Sequence, residues 1–109
     1  MRVSKADLQR KIDLLNQITN NAPKPYADGY EVINGINRLK ANAGNYHLAG
    51  AYGGWELQQM CKGGGTRDVL SSGYTTKKDL YYLICAFIDG IEVGQKVIMN
   101  YNNFGRLTR

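Results

Sequence analysis

Between Leu80 and Ile91 six apolar residues fall on one side of a helix. Leu80, Leu83, Ile84, Phe87, Ile88 and Ile91 follow at steps of three and four, and Thr76 and Asp79 form a capping box ahead of them. A stripe this broad must lie against another layer of structure. The chain has 109 residues, enough for one domain and one small core. A second helix is predicted over residues 4–20. Ser4 and Asp7 cap it, Val3 can staple onto Leu8, and Leu8, Ile12, Leu15 and Ile18 recur at helical spacing beside Leu14. Asn20-Asn21-Ala22-Pro23 stops it. Its stripe is narrow and suits packing on a sheet or on a second subunit.

The segment between these helices reads as strands and turns over residues 26–71. Tyr26, Tyr30, Val32 and Ile33 suggest a short strand, Asn34-Gly35 a hairpin turn, and Ile36–Ala41 the return. From Gly44 to Leu70 the pattern is an antiparallel meander. Tyr46, Leu48 and Tyr52 share a period of two. Gly53-Gly54 reads as a turn or a bulge. Trp55, Leu57 and Gln59 alternate with polar neighbours, and Gly63-Gly64-Gly65 turns into a strand at Thr66–Leu70. The fold class expected is α+β, in a single domain 1–109: an N-terminal helix, a small antiparallel β-meander and a C-terminal amphipathic helix at 76–94. Ala86, Gly90 and Gly94 lie four apart on that helix, where a backbone can approach closely. This favours a tight seat on the sheet, with a subunit contact as the alternative. Residues 95–109 read as a frayed tail, with Val97-Ile98-Met99 apolar enough to pack as a strand or a helix extension; Tyr101, Phe104, Lys96, Arg106 and Arg109 give it a further reading as an aromatic, basic arm.

Residue counts exclude several function classes. One histidine, His47, and two cysteines, Cys61 and Cys85, cannot build a four-ligand zinc site of Cys and His. Both cysteines lie in apolar stretches and read as small buried hydrophobes, with no disulfide. No metal and no cofactor is expected. No nucleophile-elbow, zinc-protease or phosphate-loop motif is present. Asp7 and Asp79 are caps, Asp13 lies on a polar helix face, and Glu56, Asp68 and Glu92 are scattered. No catalytic residue is therefore expected, and the chain reads as a non-enzyme. No apolar run approaches a membrane span, and the N-terminus lacks a signal-peptide core. The expected setting is the bacterial host cytoplasm, with no membrane partner.

A net charge of +5, eight tyrosines and thirteen glycines suit an anionic partner with flat rings, a nucleotide or a nucleic acid. Lys62-Gly63-Gly64-Gly65-Thr66-Arg67-Asp68 is the most suggestive segment. Glycine-turn amides form an anion nest, Lys62 and Arg67 add charge, and Thr66 adds a hydroxyl. A plain hairpin turn explains the same glycines. Tyr46, Trp55 and Tyr74 offer rings for stacking, with a core role as the alternative for each, and Arg106 offers a further cation.

Three pieces, ANAGNYHLAGAYGGWEL, GGGTRDV and TKKDLYYLICAFIDGIE, give residues 42–90 a resemblance to small bacteriophage proteins. In size, in two helices flanking strands and in lacking catalytic residues, the chain resembles the Thoeris anti-defence sponges. Those proteins sequester cyclic ADP-ribose signals of bacterial immunity, holding them at subunit boundaries with aromatic and arginine side chains. The resemblance implies a homo-oligomeric, non-enzymatic phage protein whose ligand is a cyclic nucleotide. No binding residue carries over position by position, so the site rests on residue chemistry. A basic nucleic-acid-binding accessory protein and a protein inhibitor of a host enzyme are the alternatives.

Overall fold

The computed structural model describes residues 2–107, and side chains up to Val97. The first helix, α1 (Lys5–Ile18), starts at Ser4. The Ser4 hydroxyl accepts the Asp7 amide at 3.1 Å, and the Asp7 carboxylate accepts the Ser4 amide at 2.9 Å, closing the capping box. It ends at Thr19, short of the two prolines.

Two hairpin strands follow, β1 (Tyr26–Ile33) and β2 (Ile36–Ala41). Asn34 and Gly35 both have positive φ, +52° and +78°, as a type I′ turn requires. This hairpin is a two-stranded sheet of its own and not part of the meander. In β1 the residues between Tyr26 and Tyr30 oppose only Lys40, so the ladder bulges there. Both strands are largely exposed, and the hairpin stands out as an arm.

The second sheet is the expected meander of β3 (Tyr46–Ala51), β4 (Gly54–Met60) and β5 (Thr66–Asp68), all antiparallel. Tyr46, Leu48, Trp55 and Leu57 face one side, where α1 lies against β3 and α2 (Lys77–Leu107) against β4. Leu8, Ile12, Leu15, Leu57, Leu80 and Ile84 are fully buried between the layers. Burial of side chains of this size contributes about 1.5–3 kcal/mol each.

Residues 95–107 do not form the expected tail. α2 runs unbroken to Leu107. Gly94 was the expected stop, but a glycine inside a helix costs only about 1 kcal/mol against alanine, and no proline follows it. Cys61 and Cys85 are free thiols, but half-buried and not core hydrophobes. Cys61 leads out of β4 into the glycine turn, and Cys85 sits on the flank of α2's stripe. Among the described residues no helix is long and apolar enough to cross a membrane, and no cluster of three metal-ligating side chains occurs.

Candidate functional site

The glycine turn that joins β4 to β5 is closed from within. The Cys61 amide donates to the Gly65 carbonyl at 2.6 Å, and the Gly64 amide donates to Cys61 at 3.1 Å. Gly63 and Gly64 take φ of +93° and +99°, a region L side chains rarely enter. The turn rests against the base of the arm, where a Cβ built on Gly64 would lie 4.0 Å from that of Ala41. Between turn and arm opens a cavity of about 270 Å³, lined by Tyr26, Arg38, Leu39, Gly63 and Gly64.

The arm's placement comes from asparagines. Asn42 donates through its amide N–H to Pro25 at 2.9 Å and through its side chain to Lys24 at 3.0 Å. Asn45, fully buried, donates its side-chain amide to the Ala22 carbonyl at 2.7 Å. These bonds tie the two ends of the arm together and set its base beside the glycine turn. The bulge next to Tyr26 then breaks the ladder at the ring that lines the cavity, a common use of a bulge.

The residues expected to bind ligand are dispersed. Lys62, Thr66 and Arg67 are exposed on and beside the glycine turn. The Arg67 fork is engaged: its Nε and Nη2 both donate to the Gln59 Oε1, at 3.0 and 2.7 Å. Tyr46 is a core residue. It is 8% exposed and meets Phe87 edge-on at 6.0 Å, because it alternates in step with Leu48 and Leu57 toward the helices. It therefore offers no open face to a ligand.

Trp55 lies on that same helix-facing side, but four residues from Gln59, the partner of Arg67. That is about 13 Å of strand, with the buried Leu57 between. Tyr74 is 37% exposed and serves the opposite face of the sheet, with Tyr52 edge-on at 5.6 Å. It stands beside Glu56, which is buried and accepts Gln58 Nε2 at 2.6 Å. Burial, with the Glu56 charge next, pushes the Tyr74 phenol above its ordinary 10.0. On this face burial also holds His47 below its ordinary 6.5, against hydrogen bonds its ring donates to Gln58 and Asn45, which favour its charged form. The Arg106 side chain lies outside the described residues.

Tyr26 and Arg38 were not singled out by sequence reasoning. The signal that finds them is topological, since the hairpin must return the chain beside the glycine turn for Tyr26 and Arg38 to meet it. Arg38 forms no ion pair among the described residues, where the one pair joins Arg10 to Asp7. A guanidinium, a phenol ring and a glycine-lined wall in one cavity can hold an anionic, ring-bearing molecule. Comparison with family models, with curated proteins and with solved structures finds no match to this chain.

Proposed function

We propose that this chain is a phage anti-defence protein that binds a cyclic nucleotide immune signal of the cyclic ADP-ribose type and holds it without cleaving it. The observation that carries the reading is the cavity in which Arg38 and Tyr26 face the Gly63-Gly64 turn. A pyrophosphate meets Arg38 by forked, charge-assisted hydrogen bonds. The base stacks on Tyr26, a contact of about 1–3 kcal/mol by analogy with nucleic-acid stacking. The lining contains no carboxylate, imidazole or thiol, the commonest groups in general acid–base or nucleophilic cleavage.

At about 270 Å³ the cavity is smaller than the roughly 300–1,000 Å³ of common ligand sites. It seats part of such a ligand. The remainder extends toward Lys62, Thr66 and Arg67 on the turn, and a second copy of the chain encloses it.

Calorimetric titration with cyclic ADP-ribose isomers and cyclic dinucleotides tests this. One member of the panel should bind saturably, and chromatography should recover it intact. Arg38→Ala should weaken it by about tenfold or more, the scale of one lost charge-assisted contact, with an unchanged melting transition. An empty panel together with binding of duplex DNA that collapses between about 50 and 200 mM salt would instead mark a nucleic-acid protein. An empty panel, or a hydrolysed ligand, would contradict the proposal.

A further inference from the structure

At the other end of the meander from the glycine turn, Lys5, the first residue of α1, stands over Trp55. The helix-facing surface is left open there as a groove of about 500 Å³, bounded by Lys5, Leu48, Gly50, Gly53, Gly54 and Trp55. This volume falls within the range of small-molecule sites. We propose that the groove is a second ligand site, separate from the arm cavity, for a planar aromatic anion such as a purine nucleoside monophosphate.

Trp55 is rigidly mounted. It pairs with Gly50 on one side, and on the other it exchanges backbone hydrogen bonds with Thr75 at 2.8 and 2.9 Å. Its ring lies across Gly50, where an added Cβ would come within 2.9 Å of the indole. An added Cβ on Gly54 would come equally close to the Tyr74 carbonyl carbon. Gly50 therefore seats the indole and Gly54 admits the Tyr74–Thr75 backbone, which together fix Trp55 at the edge of the groove, and Leu48 supplies an apolar wall.

Lys5 provides the charge. Its Nζ stands 5.6 Å from the Trp55 ring centroid, and it has no carboxylate partner among the described residues. It is also the first residue of α1, where the helix dipole favours anions. A purine ring on Trp55 places its phosphate within reach of this ammonium. No acid or histidine lines the groove.

Trp55 is the one tryptophan in the chain, so its fluorescence reports on this groove. The probes are adenosine monophosphate, adenosine and ribose 5-phosphate, with excitation on the red edge of the indole band. Adenosine monophosphate should quench saturably, adenosine should quench with weaker affinity, and ribose 5-phosphate should leave the emission unchanged. Lys5→Gln, at an exposed position, should weaken adenosine monophosphate by about fivefold to tenfold, the scale of one charged contact, and leave adenosine unchanged. Arg38→Ala should leave the whole titration unchanged, which separates this site from the arm cavity. No saturable quenching, an equal loss for both ligands in Lys5→Gln, or a loss in Arg38→Ala would each overturn the proposal.

Discussion

Asn16 lies on the buried side of α1, 2% exposed among leucines and isoleucines. Its Nδ2 donates to the Tyr46 carbonyl at 2.9 Å, and its Oδ1 accepts the Tyr46 amide at 2.8 Å. One side chain thus satisfies both backbone groups of a strand residue and fixes α1 against β3. Asn16→Leu adds apolar surface, yet it should destabilise the fold, because each orphaned buried group costs about 1–3 kcal/mol. Urea denaturation measures this, and a gain in stability would remove the clamp from the account. Nothing in the spacing of the sequence marks Asn16, since its role depends on a partner thirty positions away. The asparagines at the base of the arm were hidden for the same reason. Local signals, by contrast, were legible: Ser4 with Asp7, and Asn34 with Gly35, act on their own neighbours. His47 gives a second test at this scale. Its folded-state pKa lies below 6.5 because burial disfavours the imidazolium. The unfolded chain therefore binds the proton first. Stability should be unaffected above the unfolded value, fall as pH drops from it toward the folded value, and level off below. His47→Gln should flatten that loss in denaturation curves taken from about pH 8 to about pH 5.

Among the elements, α2 shows where a correct pattern still left its extent open. The apolar stripe from Leu80 to Ile91 located the helix and the side it buries. Glycines at 90 and 94 suggested a close approach, yet nothing lies within 4 Å of a Cβ built on either. Among the described residues this face is open, and the helix continues past it because no proline intervenes. Gly90→Ala should therefore stabilise the fold by about 0.5–1 kcal/mol, through helix propensity and a stiffer unfolded chain, and raise the melting temperature. A lower melting temperature would show that a second copy already lies against this face. The strands tell a similar story. Alternation and glycine turns marked all five, but not that the first two leave the meander. That separation depends on Asn42 and Asn45 binding back to the chain before the hairpin. It also explains the dispersal of the expected site, because Trp55, Tyr74 and Arg67 were grouped by residue type, while strand parity sends them to different faces and ends.

At the scale of the whole molecule, the radius of gyration is 17.0 Å, against about 13 Å for a compact domain of this length. The arm and the far half of α2 account for the excess. On the arm Tyr30 and Val32 are each 70% exposed and Ile36 65%, and an isolated two-stranded hairpin is at best marginally stable in water. A shape of this kind fits a protomer that completes itself against another copy, with the Arg38–Tyr26 cavity at the root of the projecting arm. Native mass spectrometry tests this account most directly, with the protein sprayed alone and then with cyclic ADP-ribose isomers and cyclic dinucleotides. The predicted result is an oligomer that gains the intact mass of one panel member per arm cavity and returns it unaltered on heating, with the gain lost in Arg38→Ala. A monomer that stays empty across the panel, or a bound mass matching a cleaved ligand, would contradict it.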